Sequence, residues 1–319
     1  MPLCNMEEKM PLVSFCLFTY NQEQFIRDAL EGAVSQDYEN MEIIVSDDSS
    51  TDKTFDIIND FFMNYHGNHR IIINRNEKNL GIAENVNKVL YTIAKGEFLV
   101  LAAGDDVSLP NRTSVGVNFM LEHKEVSSLS FASKLVDKKL NPLQENPIKT
   151  LNVGNNTILT MEDYTLNCFS FLLFSGDSRM LRRIVVDSFP PLKYVKAEDI
   201  YLFVRSLYVG SIAYIRQSLV LYRQHDNSVM NKARNRSIDD IEKAIEAFEK
   251  GGCSNQLIAD MEYAIENGYI SEGHKIFVLK KINWIVNALK PKLPRKEHSK
   301  LYNKTKEIAR RIAKLLFRE

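Results

Sequence analysis

The residues most able to do chemistry in this chain are carboxylates that follow apolar runs. Asp105-Asp106 closes Phe98–Ala102, Asp47-Asp48 follows Glu42–Val45, and Glu198-Asp199 opens an apolar-faced segment. Two adjacent carboxylates repel unless something neutralises them. A divalent cation does so: Mg²⁺ or Mn²⁺ prefers hard oxygen ligands and typically takes one or two carboxylates plus substrate phosphates. Asp105 and Asp106 equally fit a turn or helix cap ahead of Pro110, and both readings stand at this point. Asp48 suits acceptance of an N–H from a heterocyclic base, while Ser50 or Thr51 suits capping of the following helix. Glu198 and Asp199 fall in the first turn of an expected helix, where negative charge interacts favourably with the helix dipole.

These groups are positioned by alternating elements. Leu12–Phe18 (LVSFCLF), Glu42–Val45, Arg70–Asn74 and Phe98–Ala102 are short β-rich runs. Between them, Glu23–Ser35, Lys53–Tyr65 and Gly81–Ala94 carry apolar residues at helical spacing. Such alternation predicts an α/β fold with a mostly parallel sheet and helices on both faces. Ligands of such sheets bind beyond the carboxyl ends of the strands, where Tyr20-Asn21, residues 46–52 and Asp105-Asp106 all lie. Further on, Lys139–Asn156 reads as a loop, Thr160–Cys168 as a helix, Phe169–Phe174 as a strand running into Ser175-Gly176-Asp177, Lys196–Leu207 as a helix and Tyr214–Tyr222 as a last strand. Only helical patterns follow Ser237: 238–249, 255–267, 275–289 and 301–317. The expected organisation is a domain over 1–237, with a nucleotide-binding part near 11–110 and an acceptor part near 111–237, then a helical, basic extension over 238–319.

Bulk properties narrow the partners. The 319 residues hold 41 basic and 41 acidic side chains, with 45% apolar residues, as in an ordinary globular protein. The charge is unevenly spread. Lys275–Glu319 holds 14 Lys and Arg against 3 Glu, and the rest of the chain 27 against 38. A basic segment with Ile308, Ile312, Leu315 and Leu316 on one helical face fits either an anionic membrane surface or packing on the domain. Aromatic interleaving for nucleic acid is missing, so no nucleic-acid partner is expected. Four scattered cysteines fit a reducing compartment. With no apolar leader and no run long enough to span a bilayer, a cytoplasmic protein is expected, peripheral to the membrane at most.

The order of these pieces resembles family 2 glycosyltransferases of the GT-A fold. The resemblance is carried by Val13–Thr54 (VSFCLFTYNQEQFIRDALEGAVSQDYENMEIIVSDDSSTDKT), Asn76–Asp106 (NEKNLGIAENVNKVLYTIAKGEFLVLAAGDD), Leu109-Pro110, Glu198-Asp199 and Tyr222–His225 (YRQH), covering about residues 11–230. It implies an inverting, metal-dependent transfer of a hexosyl or N-acetylhexosaminyl group from a nucleotide-diphosphate sugar, a UDP-sugar by this likeness. The implied acceptor is a hydroxyl of a saccharide or lipid-linked saccharide in surface-glycan synthesis.

The same resemblance implies roles. Phe18, Thr19, Tyr20 and Asn21 line the nucleotide pocket, Asp48 reads the base, and Asn76, Gly81 and Asn87 close over nucleotide and sugar. Asp105 matches the last aspartate of the DxD-type motif and holds Mn²⁺ or Mg²⁺, with Asp106 and His225 as further candidate ligands and Arg223 as a phosphate partner. Asp199 matches the catalytic base, with Glu198 as the second candidate. The first aspartate of the motif falls on Ala103, so the ribose contact made there must come from elsewhere or be lost. Segment 175–177 with Arg179, Arg182 and Arg183 either borders the acceptor or forms a solvated face. Two other functions compete. A sugar-phosphate nucleotidyltransferase needs a Gly-rich, Arg-bearing loop after the first strand, where this chain has Thr19-Tyr20-Asn21-Gln22-Glu23. A non-catalytic nucleotide-sugar-binding protein is the other, and Ala103 keeps it in view.

Overall fold

The computed structural model describes residues 10–143, 157–163, 178–193, 198–226 and 252–274. Nine strands there form one sheet in the order β3-β2-β1-β4-β8-β6-β9-β5, with β7 also paired to β9. The strands are β1 Val13–Thr19, β2 Met41–Asp47, β3 Arg70–Arg75, β4 Phe98–Ala103, β5 Val107–Ser108, β6 Val126–Val136, β7 Thr157–Leu159, β8 Arg179–Arg182 and β9 Ser211–Arg223. The long registers, β1 with β2 and β4, β2 with β3, and β6 with β9, are parallel. The antiparallel ones span only two or three residue pairs each. The fold is thus the expected mostly parallel α/β sheet.

Every residue of β1 and β2 is buried, because helices cover both faces, and that is why these strands read as continuous apolar runs. Val13, Phe15 and Leu17 join one core with Ile26, Leu30 and Ala33 of α1 (Ile26–Val34), Ile58 of α2 (Thr54–Met63) and Val117 and Met120 of α4 (Arg112–Glu122). Cys16 and Phe18 join the opposite core. It holds Val86 of α3 (Ile82–Lys88), Val89 and Leu90 of a π-helical segment (Val89–Ile93), Val185 and Val186 of α5 (Ile184–Asp187) and Leu202 of α6 (Asp199–Val209). Each fully buried Leu, Ile, Val or Phe contributes about 1.5–3 kcal/mol.

The expected helix over 81–94 contains a change of pitch. The Ala94 N–H donates to the Val89 carbonyl, five residues back, at 2.9 Å. The expected helix over 23–35 begins later, at Ile26, because residues 21–23 are pinned to the loop after β2. Asn21 N–H donates to Ser50 Oγ (2.9 Å), Gln22 N–H to Thr54 Oγ1 (2.7 Å) and Glu23 N–H to Asp52 Oδ2 (3.1 Å), and Thr51 and Lys53 N–H return bonds to Asn21 and Glu23. Neither Ser50 nor Thr51 caps α2: its N-cap is Lys53, without a side-chain cap bond, and the preceding Asp52 accepts the Thr54 N–H at 2.9 Å.

The long pair β6 and β9 carries register shifts near Val126, Phe131 and Ala132. Bulges of this kind bend a strand. The carboxyl end of β9 thereby pairs with β5, directly after Asp105-Asp106. Beyond the sheet, α7 (Gly252–Glu266) matches the helix expected at 255–267 and packs on α6. The strand at 169–174, most of the helix at 160–168, the boundary near Ser237 and the helices at 238–249, 275–289 and 301–317 lie outside the described residues.

Candidate active site

The polar cluster lies at the carboxyl ends of β1, β2 and β4. Asp48 follows β2 and is 3% exposed. Its Oδ1 accepts from Asn76 Nδ2 (2.8 Å) and the Leu80 N–H (2.9 Å), and its Oδ2 accepts from the Gly81 N–H (2.8 Å). Gly81 adopts φ 84°, a conformation that favours glycine, and so delivers its N–H to the carboxylate. A carboxylate has about four lone-pair sites. Three are engaged, which leaves one on Oδ2 for a further donor. Asn76 is itself held by Lys88 Nζ on Oδ1 (2.9 Å). Nearby, Tyr20 is 43% exposed and Leu80 37%, an aromatic and an aliphatic surface beside Asp48.

At the end of β4, Asp105 Oδ2 lies 2.9 Å from His225 Nε2. His225 follows β9, and its ring packs tilted against Phe25 with centroids 4.6 Å apart. Arg223, 1% exposed, explains how this corner holds together. Its guanidinium donates to the carbonyls of Asp105 (2.8 Å) and Lys138 (2.5 Å) and to Asp28 Oδ2 (2.6 Å), and lies over the Phe25 ring at 4.8 Å. Its own N–H donates to Asp106 Oδ1 at 2.8 Å. Arg223 is therefore engaged in organising the Asp105 turn, not held ready for a phosphate. Asp106 turns one oxygen inward to β9. Among the described residues no group of three or more His, Cys, Asp or Glu converges; at this corner Asp105 and His225 stand as a pair.

Asp199 reaches the same edge through β8. That strand runs antiparallel to β4, pairing Val100 with Met180, so its first residue, Arg179, lies beside the carboxyl end of β4. Arg179 is fully buried and donates to the Asp199 carbonyl at 2.6 Å. Arg112, also fully buried, ties Ser108 Oγ (2.8 Å), the Leu101 carbonyl (2.7 Å) and the Arg179 carbonyl (3.3 Å) into one block. Asp199 opens α6, as expected of an acidic first turn, and its Oδ1 accepts the Ile200 N–H at 2.8 Å. Burial, and then the charge of Asp199, push the Glu198 carboxyl up from 4.5 to about 7.

Several residues expected to line the pocket act behind it. Phe18 is 7% exposed and belongs to the core. Thr19 is buried and its carbonyl accepts the Asp48 N–H at 3.0 Å. Asn87 bonds the Leu192 peptide at both ends, Nδ2 to the carbonyl at 2.7 Å and Oδ1 from the N–H at 3.0 Å. That ties α3 to the Leu192 backbone. Arg182 and Arg183 form no solvated face: they bond the carbonyls of Val126, Met120, Gly96 and Ala94. Residues 175–177 lie outside the described residues. Asp28 is the addition, through its bond from Arg223 Nη2 at 2.6 Å. Asp28 was visible only as an acidic residue in a helix, and nothing in its spacing announces a partner 195 residues away.

A parallel β3-β2-β1-β4 half with carboxylates at its edge, extended by β8, β6 and β9, is the GT-A architecture of nucleotide-diphospho-sugar transferases. The profile described as glycosyl transferase family 2 matches residues 14–189, and the chain belongs to that family. An uncharacterized glycosyltransferase of Haemophilus influenzae is 26% identical over 245 residues, 74% of this chain and 73% of that one. The Escherichia coli protein named UDP-Glc:alpha-D-GlcNAc-diphosphoundecaprenol beta-1,3-glucosyltransferase WfaP is 39% identical over 121 residues, 38% of this chain and 46% of its own. Among solved structures, Staphylococcus aureus TarS residues 1–349 superpose with TM-score 0.63 at 18% identity, covering 94% of this chain and 80% of that one. A Pyrobaculum calidifontis mannosyltransferase in complex with GDP-Man and Mn²⁺ gives 0.57 at 17% identity, covering 94% and 74%. At such identities the superpositions speak to the fold.

Proposed function

We propose that this glycosyltransferase is inverting and metal-dependent. In this reading it moves a hexosyl or N-acetylhexosaminyl group from a UDP-sugar to a hydroxyl of a saccharide or lipid-linked saccharide in surface-glycan synthesis. The observation that carries the reading is the pairing of two unlike anchors on one sheet edge. Asp48 retains a single acceptor position after β2, and Asp105 faces His225 at 2.9 Å after β4. The first suits a base N–H and the second a cation on a diphosphate. A hard carboxylate oxygen with an imidazole nitrogen suits Mn²⁺, and also Mg²⁺ with added water and phosphate oxygens. Asp105 and His225 would hold the ion, with Asp106 behind them. When bound, it supplies positive charge that stabilises the departing nucleoside diphosphate.

Asp199 takes the proton of the acceptor hydroxyl as that oxygen attacks the anomeric carbon, and the nucleoside diphosphate leaves from the opposite side. One displacement gives one inversion. The name of the E. coli relative supports a lipid-linked diphosphate acceptor, and the basic stretch 275–319 supports work at an anionic cytoplasmic membrane face. General-base help is typically worth ~10²–10⁴ in rate. Asp199→Asn should therefore lower kcat by about that factor while UDP affinity, measured by calorimetry with Mn²⁺, changes little. Product NMR should show the anomeric configuration opposite to the donor's. Near-full turnover of Asp199→Asn or a retained configuration refutes the base and the inversion, and full turnover in excess chelator refutes the metal.

A further inference from the structure

The sheet order β2-β1-β4 sets Asp48 and Asp105 just past the ends of the two strands that flank β1. Adjacent strands lie ~4.8 Å apart, so the two anchors are separated by about two such steps. If a nucleoside diphosphate bridges them, as the donor reading above requires, its pentose crosses the end of β1. The chain there is Thr19–Gln22. Thr19 Oγ1 donates to Gln22 Oε1 at 2.8 Å, and the Gln22 N–H is pinned on Thr54 Oγ1 at 2.7 Å. The Gln22 amide fills a notch that exists only because residue 104 is glycine: a Cβ there would meet Gln22 Oε1 and stand 2.8 Å from Thr19 Oγ1. The amide nitrogen of Gln22 bonds to no described residue. Next to the notch, Ala103 ends β4 without a polar side chain.

We infer that Gln22 reads the pentose, its side-chain amide hydrogen-bonding a ribose hydroxyl of the bound nucleoside diphosphate. Thr19 fixes one end of the amide and leaves the other for the ligand. Gly104 keeps the space in which the amide can lie, and Ala103 supplies no competing group. The inference rests on the nucleotide-sugar reading and adds a specificity-determining residue to it.

The test is calorimetric titration of the full chain in Mn²⁺ with UDP and GDP, followed by the 2′-deoxy and 3′-deoxy forms of whichever binds. The wild type should bind the ribonucleotide about 10-fold more tightly than at least one deoxy form, the equivalent of ~1.4 kcal/mol. Gln22→Ala should weaken ribonucleotide binding by about the same factor and bind ribo and deoxy forms alike. Gly104→Ala, which displaces the amide without removing it, should lose the same discrimination. Equal wild-type affinity for the ribo and both deoxy forms overturns the inference without any variant. Discrimination that survives in Gln22→Ala overturns it as well, while leaving the donor site intact. Failure of the wild type to bind either UDP or GDP overturns the donor reading itself.

Discussion

At the start of α6 two carboxyls stand side by side, and one of them ionises well above its ordinary pH. Glu198 is raised from 4.5 to about 7, by burial first and by the Asp199 charge second. Glu198 therefore keeps its proton beside Asp199, the proposed base, into the range where a free carboxyl is ionised. The consequence for stability has a definite sign. Between pH 4.5 and about 7 the folded chain binds the Glu198 proton and the unfolded chain does not, so this group's contribution falls as pH rises through that window. Glu198→Gln has no such proton. Its melting temperature should gain on the wild type from pH 4.5 to 7, and the gap should then stay level up to pH 8. Curves that remain parallel across the whole range would sink the assignment. In Asp199→Asn the second cause is gone, so the window should close at a lower pH. Asp48 and Arg223 make a related point about single residues. Both were expected to contact ligand; Asp48 keeps one acceptor position for it, while Arg223 is taken up in holding the Asp105 turn.

Elements differ in how openly the sequence announces them. β1, β2 and β4 are buried between helices and mostly apolar, so they were legible, as were the carboxylates at their ends. β6 was not, because Ser127, Ser128, Ser130 and Ser133 interrupt its apolar residues. Ser127 is satisfied inside, its Oγ donating to the Ser206 and Ser211 carbonyls. α4 was hidden by a fully buried Arg112 and by Gly116, which a Cβ would drive into Met180. The Asp105–His225 pair could be anticipated only through the resemblance, since 120 residues separate its members. Also unannounced is the joint that fastens α7 to α6. Arg205 and Asp260 form a two-pronged ion pair at 2.9 and 2.7 Å, both buried, and Arg205 adds a bond to Tyr91 Oη of the π-helical segment at 2.8 Å. Removing one partner of a buried pair leaves the other charge uncompensated and costs ~3–5 kcal/mol. Asp260→Ala should therefore lower urea stability by about that amount. The double variant Arg205→Leu/Asp260→Leu should recover much of the loss. If the single variant unfolds at the wild-type midpoint, the joint does not hold α7 in place.

Over the whole molecule the charges cancel, yet their distribution does not. Lys275–Glu319 has 14 basic and 3 acidic residues, balanced by an acidic excess in the preceding chain. Among the described residues no helix is long and apolar enough to cross a membrane; the basic stretch suggests a different mode, attachment at a bilayer surface. The stretch has the composition for that. Ile308, Ile312, Leu315 and Leu316 recur at helical spacing, with Arg310, Arg311, Lys314 and Arg318 around them. A basic residue near an anionic surface contributes about 1 kcal/mol, screened beyond a Debye length of about 8 Å at physiological salt. An acceptor anchored in the bilayer would then meet the enzyme in two dimensions, without any change at Asp48 or Asp105. The competing arrangement packs the apolar stripe on the enzyme, and the two differ in what truncation does. Ending the chain at Pro294 removes 9 of the 14 basic residues together with the stripe. Under the docking reading, the truncated chain should bind vesicles containing phosphatidylserine much more weakly than the intact chain, and intact binding should fall as salt is raised. Both chains should ignore pure phosphatidylcholine vesicles. Transfer to a short soluble acceptor should be unaffected, while transfer to a vesicle-borne one should drop. Equal binding of both chains to anionic vesicles, or a truncated chain that melts early and loses soluble turnover, would instead mean that the stripe belongs to the enzyme's own packing.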